Sequence, residues 1–152
     1  MDNMLDLQKI DSRWTLFLDR DGVINVEKDQ SYIFHYGEFV FYERGLEALK
    51  DLADIFPRIV VVTNQRGVGK GLMTAEALKD VHGKMKRDVL EGGGRIDAIY
   101  YCDSLSDDHP HRKPNPGMAF AARQDIPNID LSRSEINDAV IGRHPRFLFQ
   151  IR

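Results

Sequence analysis

Two short apolar runs stand out in the pattern of hydrophobic and polar positions along the chain. Residues 14–18 (Trp-Thr-Leu-Phe-Leu) end directly at Asp19, and residues 58–62 (Arg-Ile-Val-Val-Val) end at Thr63. Neither run alternates apolar with polar residues, which is typical of strands buried on both faces of a parallel sheet. The pattern therefore predicts two central strands, each followed by polar residues at its carboxyl end.

Apolar residues at helical spacing predict helices between these strands. The predicted helices cover residues 45–56, 74–90 and 117–124, and further strands are predicted at residues 97–102, 138–142 and, with a frayed tail as the alternative, 147–151. Thr74 is a suitable N-cap for the second helix, and Pro57 prevents continuation of the first. Alternating strands and helices predict an open α/β sheet, in which ligands bind beyond the carboxyl ends of the strands.

The amino-acid composition indicates the class of protein and is compatible with the predicted α/β fold. At 152 residues, 42% hydrophobic and 30% charged, the chain fits one globular domain over residues 1–152. A net charge of −3 without a basic face argues against a nucleic-acid partner. No apolar run approaches the ~20 residues of a membrane span, and no signal peptide is recognisable. Cys102 is the single cysteine, which fits a reducing compartment. We expect a cytoplasmic monomer without a membrane partner, with a dimer as the alternative.

Asp19 and Asp21 are candidates for covalent phosphoryl chemistry. Two carboxylates two residues apart at a strand end can face one small site, where one attacks phosphorus and the other protonates the leaving oxygen and later activates water. A magnesium ion would screen the repulsion between carboxylate and phosphate. A solvated acidic turn is the alternative. The apolar run before Asp19 gives the two interpretations similar weight.

The ends of the next two predicted strands add groups that can hold a phosphate. Thr63 offers a hydroxyl beside the backbone amides of a turn, with an ordinary strand-to-helix turn as the alternative. Lys113 offers a compact cation and Arg112 a bidentate donor, with a solvated basic turn as the alternative. The glycines of residues 67–71 lack the spacing of a phosphate-binding loop, and we expect a mobile turn there.

Five segments, in this order and near this spacing, resemble one known family. They are residues 17–25 (FLDRDGVIN), 61–65 (VVTNQ), 69–71 (GKG), 100–102 (YYC) and 112–118 (RKPNPGM). The chain resembles the haloacid dehalogenase-like (HAD-like) phosphohydrolases, and within them the D-glycero-D-manno-heptose 1,7-bisphosphate phosphatase and histidinol-phosphatase group, over about residues 14–134. Each segment alone is modestly specific, whereas the ordered set is highly specific.

The resemblance implies a three-layer, Rossmann-like parallel sheet with helices on both faces and no large cap domain. It also implies a role for each matching residue. Asp19 would be the nucleophile and Asp21 the general acid/base, and the Asp19 side chain and the Asp21 carbonyl would bind Mg²⁺. Thr63 and Lys113 would stabilise the phosphoryl group. The substrate would be contacted by Asn25, Tyr32, Asn64 and Gln65, and its other phosphate by Arg112.

The loop after Cys102 departs from the family pattern. Heptose bisphosphate phosphatases usually carry a zinc-binding Cys-x-His and Cys-x-Cys before the Arg-Lys-Pro segment, and here His109 and His111 occupy the positions of the paired cysteines. Cys102, His109 and His111 can supply three Zn²⁺ ligands, with Asp103 or Asp107 as a fourth. A zinc-free loop with surface histidines is favoured, because structural zinc sites prefer four well-spaced ligands.

The end of the chain departs more strongly. The last family motif is a strand ending in Gly-Asp, whose aspartate ligates magnesium, with a second aspartate four residues later. Here Arg143 and Phe147 occupy the two acid positions, and a cation in place of a ligand repels Mg²⁺. Residues 135–152 therefore form an atypical tail. Glu135 and Asp138 are nearby carboxylates that can substitute only from positions that do not match the motif.

These observations together predict a magnesium-dependent phosphatase that acts on a small sugar-type bisphosphate through an aspartyl-phosphate intermediate. Two alternatives stay open. Arg143 in the last motif is what a degenerate or truncated, non-catalytic phosphate-binding protein would show. Histidinol-phosphate hydrolysis is the alternative within the enzyme class. The expected partner is a small phosphorylated substrate in each case.

Overall fold

The predicted alternation of strands and helices is present in the computed structural model, which describes the backbone of residues 7–137 and the side chains of residues 7–132. The elements in chain order are β1 (Thr15–Leu18), α1 (Gly45–Ile55), β2 (Ile59–Asn64), α2 (Arg66–Gly69), α3 (Ala75–Glu91), β3 (Ala98–Cys102), α4 (Gly117–Asp125) and β4 (Ser134–Asn137). Short 3-10 turns cover Leu7–Lys9, Tyr36–Glu38 and Leu131–Arg133. No helix in this described part is long and apolar enough to cross a membrane.

All four strands are parallel and lie in the order β3-β2-β1-β4. The chain builds outward from β1 through β2 to β3, and then returns to the other side of β1 for β4. This reversal makes the carboxyl end of β1 a topological switch point, where open α/β sheets form a ligand-binding crevice. Asp19 follows β1 directly and therefore lies at this crevice.

Helices cover both faces of the sheet, as the uninterrupted apolar strands predicted. Leu16, Leu18, Ile59 and Val61 point to one face, where they pack with α1 and α3. The intervening strand residues point to the other face and pack with α4, since successive side chains of a strand alternate between faces. This second cluster contains Phe17, Val60, Val62, Met118, Ala119 and Ala122. The predicted three-layer α/β fold is confirmed.

Local sequence signals explain where α3 begins and where α1 ends. Thr74 caps α3, because its Oγ1 accepts a hydrogen bond from the backbone N of Ala77 at 3.0 Å. Phe56 leaves the helical region after α1, with φ −99° and ψ 129°. This extended conformation is what the following proline favours in the residue before it.

The glycine-rich segment after β2 differs from the prediction. The sequence predicted a mobile turn at residues 67–71, whereas the structure winds residues 66–69 into the short helix α2. Gly69 packs so closely on the loop after β3 that an added Cβ would lie 1.9 Å from the carbonyl oxygen of Asp103. A glycine is required there because of this close backbone approach.

The fourth strand starts earlier than predicted. β4 covers Ser134–Asn137 and pairs with β1, whereas the predicted strands at residues 138–142 and 147–151 lie outside the described residues. Its register pairs Glu135 with Leu16, three residues before Asp19, which is roughly 10 Å along a strand. The backbone of Glu135 therefore lies away from the carboxyl ends of the strands, where a metal ligand was expected.

The remaining predictions about the last family motif concern the end of the chain. Asp138, Arg143 and Phe147 all lie outside the described residues. The predicted substitution of a metal-binding acid by Arg143 therefore stays a prediction, as does the single domain over residues 1–152.

Candidate active site

Asp19 forms an ion pair with Lys113 at the carboxyl edge of the sheet. Lys113 Nζ lies 2.5 Å from Asp19 Oδ2, and the backbone N of Arg20 donates to Asp19 Oδ1 at 2.7 Å. The two side chains are only 21% and 19% exposed, which weakens solvent screening of this pair. The structure thus brings together a carboxylate and an ammonium group that are far apart in sequence.

Asp21 accepts hydrogen bonds on both carboxylate oxygens. Oδ1 receives Arg20 Nη2 at 2.8 Å and Asn25 Nδ2 at 3.0 Å. Oδ2 receives Gln65 Nε2 at 3.0 Å. Gln65 Nε2 also lies 2.9 Å from Thr63 Oγ1, which accepts from it and is thereby tied to the same network. Donors from three side chains therefore hold the Asp21 carboxyl group in place.

Asn25 and Gln65 lie beneath the candidate site and do not line its surface. The sequence predicted both as substrate-contacting residues, yet both are buried and both direct their amides to Asp21. The turn after β1 explains this correction, because the backbone N of Asn25 donates to the carbonyl of Arg20 at 3.2 Å. This folded-back turn brings the Asn25 amide under the carboxylate. Thr63 is likewise buried next to Gln65.

Asn64 joins the end of β2 to the Lys113 loop. Its Nδ2 donates to the carbonyl of Lys113 at 3.3 Å, and the backbone N of Lys113 donates to Asn64 Oδ1 at 3.1 Å. These reciprocal bonds fix the backbone from which the Lys113 ammonium reaches Asp19. Asn64 therefore positions the lysine as well as facing the cleft.

A cleft of about 240 Å³ opens above these residues. Its walls contain Asp19, Asp21, Glu27, Lys28, Ser31, Tyr32, Ile33, Asn64, Arg66 and Arg112. Three of the predicted substrate-contacting residues, Tyr32, Asn64 and Arg112, are among them. Three carboxylates line this cleft together with three cationic side chains, and such cations can hold an anionic ligand.

Arg66 and Arg112 meet at one carboxylate on the rim of the cleft. Asp107 Oδ1 accepts from Arg66 Nη2 and from Arg112 Nε, each at 2.9 Å. Asp107 is 82% exposed, whereas Arg112 is only 16% exposed. Two further N–H groups, Arg66 Nε and Arg112 Nη1, are buried without a hydrogen-bond partner in the described part of the chain. The rim therefore carries two guanidinium groups bridged by an acid that is largely in solvent.

The acids expected to hold magnesium form a suitable donor set. Asp19 and Asp21 both face the cleft, and Mg²⁺ prefers oxygen ligands from one or two carboxylates together with water and substrate phosphate. The side chain of Asp19 and the backbone carbonyl of Asp21 are the groups that would bind it. The residues present fit this cation.

The zinc site suggested for the loop after β3 is not supported by the geometry. Cys102 Sγ lies 3.7 Å from His109 Nδ1, but that nitrogen also accepts from the backbone N of His111 at 3.0 Å. Asp107, a candidate fourth ligand, instead accepts hydrogen bonds from Arg66 and Arg112. Within residues 7–132, no group of three or more His, Cys, Asp or Glu side chains is placed to hold a metal ion.

Three residues near the site were not identified from the sequence. Arg66 follows the Thr-Asn-Gln segment directly, so its place after a strand end was a usable signal. Arg20, between the two aspartates, is fully buried and pairs with Asp21. His82 on α3 contacts Arg20 from 62 positions away, and no local pattern indicates such a contact.

Comparison with known proteins gives a consistent set of relatives. No protein-family model matches the chain. The chain is 38% identical over 116 residues to the D-glycero-alpha-D-manno-heptose-1,7-bisphosphate 7-phosphatase of Mycobacterium tuberculosis, covering 71% of this chain and 57% of that protein. It is 36% identical over 104 residues to the D-glycero-beta-D-manno-heptose-1,7-bisphosphate 7-phosphatase of Neisseria meningitidis, covering 68% and 55%. The chain thus spans little more than half the length of these relatives.

Solved structures agree with the sequence comparison. A D,D-heptose 1,7-bisphosphate phosphatase from B. bronchiseptica, complexed with magnesium and phosphate, superposes with a TM-score of 0.65 at 34% identity, covering 74% of this chain and 64% of that one. A protein from Mesorhizobium loti assigned to the HAD-like phosphatases superposes with a TM-score of 0.67 at 37% identity, covering 80% and 61%. At these identities the likeness extends to sequence as well as fold.

Proposed function

Since the chain belongs to the haloacid dehalogenase-like phosphohydrolases, we propose that it hydrolyses a phosphate monoester of a small sugar bisphosphate similar to D-glycero-D-manno-heptose 1,7-bisphosphate. The observation that carries the proposal is the contact of Lys113 Nζ with Asp19 Oδ2 at the switch point, beside Asp21. The curated relatives favour this substrate class over histidinol phosphate, because they are named as heptose bisphosphate phosphatases.

In the first half of the proposed reaction, Asp19 attacks the phosphorus atom. A bond forms between a carboxylate oxygen of Asp19 and phosphorus, and the bond from phosphorus to the sugar oxygen breaks. Asp21, protonated for this step, gives its proton to the departing oxygen. The ammonium of Lys113 lies next to the attacking group and stabilises the charge on the phosphoryl oxygens.

In the second half, water attacks the aspartyl phosphate. Asp21, now ionised, accepts a proton from this water, and the bond between phosphorus and the Asp19 oxygen breaks to release inorganic phosphate. The four hydrogen bonds that Asp21 accepts from Arg20, Asn25 and Gln65 support both halves of this role, because they hold its carboxyl group in one position at the cleft. Thr63 would help to stabilise the phosphoryl group, as predicted from the sequence.

Magnesium bound by the Asp19 side chain and the Asp21 carbonyl would neutralise the charge that builds up on the transferred phosphoryl group. On the rim, Arg112 is the proposed contact for the second phosphate of the substrate, and Tyr32 and Asn64 line the space between. We expect a cytoplasmic enzyme, as predicted from the sequence.

Release of inorganic phosphate from D-glycero-D-manno-heptose 1,7-bisphosphate tests the proposal. We expect turnover with Mg²⁺, loss of turnover with a chelator, and no turnover in Asp19→Asn, because the amide is not a nucleophile. Asp54→Asn is the matched control, since Asp54 is an exposed residue of α1 outside the cleft. Normal turnover in Asp19→Asn would refute the nucleophile assignment.

The same experiment separates the phosphatase from the non-catalytic alternative. A phosphate-binding protein without catalytic activity would bind the bisphosphate in a calorimetric titration, yet release no phosphate at any magnesium concentration. Histidinol phosphate, assayed in parallel, distinguishes the two substrate classes.

A further inference from the structure

Arg20 is a buried cation whose guanidinium is directed at the proposed acid/base. The residue is 0% exposed, which is costly for a charge unless it is paired. Its Nε and Nη2 donate to Asp21 Oδ1 at 3.2 Å and 2.8 Å. Its Cζ lies 6.0 Å from the centre of the Phe39 ring. The direction of this guanidinium therefore bears on the position of the Asp21 carboxylate.

The third nitrogen of Arg20 contacts His82, a buried residue of helix α3. Arg20 Nη1 lies 3.1 Å from His82 Nε2. An arginine nitrogen can only donate, so His82 Nε2 must accept and the ring carries its proton on Nδ1. Burial, and then the charge of Arg20, lower the pKa of His82 to about 3. A neutral ring thus serves as acceptor for Arg20 at neutral pH.

Contacts on two sides fix the plane of the guanidinium. Asp21 receives Nε and Nη2, and His82 receives Nη1 from a different element of the fold. Without His82 as acceptor, a buried N–H of Arg20 would lack its partner, which strongly favours a shift of the side chain. Any such shift would change the hydrogen bonds that Asp21 receives.

We propose that His82 is a positioning residue that acts through Arg20 to hold the Asp21 carboxylate in its catalytic place next to Asp19. This inference rests on the proposed phosphatase function and extends it, because it assigns a role to α3, which lies outside the strand-end segments. His82 is not among the residues that line the cleft. Its effect is therefore expected on turnover and not on substrate binding.

Two neutral amide substitutions form a matched test of this role. In His82→Gln the side-chain oxygen can reach the position of Nε2, so an acceptor for Arg20 is retained. In His82→Asn the oxygen reaches only the position of Nδ1, so the contact with Arg20 is lost. With inorganic phosphate release as the assay, we expect kcat of His82→Asn to fall about tenfold with KM within twofold of wild type. His82→Gln should keep most of the wild-type kcat.

Stability measurements distinguish positioning from a general packing role. Val89→Ala is a suitable control, because Val89 is a buried residue of α3 that belongs to the hydrophobic core and has no polar side-chain group to bond Arg20. It should lower the melting temperature and leave kcat unchanged. If His82→Asn and His82→Gln lose the same activity, or if His82→Asn keeps the wild-type kcat, the inference is overturned. A wild-type chain that releases no phosphate overturns the proposed function and this inference with it.

Discussion

Neutralising Asp107 should strengthen the binding of a bisphosphate. In the structure this carboxylate accepts one hydrogen bond from Arg66 and one from Arg112, each at 2.9 Å. A substrate phosphate that binds the same two guanidinium groups must first displace it. Asp107→Asn keeps the size of the side chain but removes the charge that competes with the phosphate.

The size of the effect follows from exposure. Asp107 is 82% exposed, so each ion pair resembles a surface salt bridge, worth about 0–1 kcal/mol. A phosphate that binds half-buried Arg66 and largely buried Arg112 must break both pairs with Asp107, at a cost of about 1 kcal/mol in binding free energy. This cost corresponds to roughly a fivefold change in affinity. We therefore expect KM for the bisphosphate to fall roughly fivefold in Asp107→Asn, with kcat unchanged.

The assay compares substrates with and without a second phosphate. Steady-state phosphate release is measured for D-glycero-D-manno-heptose 1,7-bisphosphate and for p-nitrophenyl phosphate, which has no group to reach the arginines. Asp108→Asn is the control, since it removes the same charge one residue away and Asp108 forms no ion pair among residues 7–132. An increase in KM for the bisphosphate would refute the reasoning, because it would mean that Asp107 holds the arginines in place for the substrate.

Two further predictions concern stability. The pKa of His82 is about 6.5 in the unfolded chain and about 3 in the folded chain, so between these pH values the unfolded chain binds the extra proton. The stabilisation of the fold by neutral His82 is therefore complete above pH 6.5 and is lost as the pH falls towards 3. Lowering the pH from 7 to 5 should reduce the free energy of unfolding, measured with urea, by about 2 kcal/mol, and His82→Gln should lack this contribution. Thr74→Ala removes the cap of α3 and should lower the free energy of unfolding by about 1 kcal/mol in the same assay, with kcat unchanged. Equal stability of this variant and wild type would contradict the capping role.

The sheet and its main helices could be predicted from the sequence because each has a local cause. The apolar runs before Asp19 and Thr63 do not alternate, and such runs fit strands covered on both faces. A capping threonine and a proline mark helix ends in the same local way. The strand ends then indicate which polar residues meet, and the contact of Lys113 with Asp19 follows from that placement.

Side-chain direction and long-range contacts could not be predicted in this way. Asn25 and Gln65 lie in the segments expected to meet substrate, but backbone hydrogen bonds in the turn after β1 and burial at the end of β2 direct their amides to Asp21. His82 and Asp107 contact arginines 62 and 41 positions away. Such contacts depend on how helices and loops pack, and neither hydrophobic periodicity nor a short motif encodes that.

The close approach at Gly69 has a consequence for exchanging specificity between related enzymes. It places the backbone of α2 against Asp103, at the start of the loop that also carries Asp107 and Arg112. Arg66 begins the same short helix. The two loops that form the rim therefore fit one another as a pair, and a chimaera that transplants residues 103–112 alone would mismatch them. Recombination between relatives should move residues 66–71 and 103–112 together.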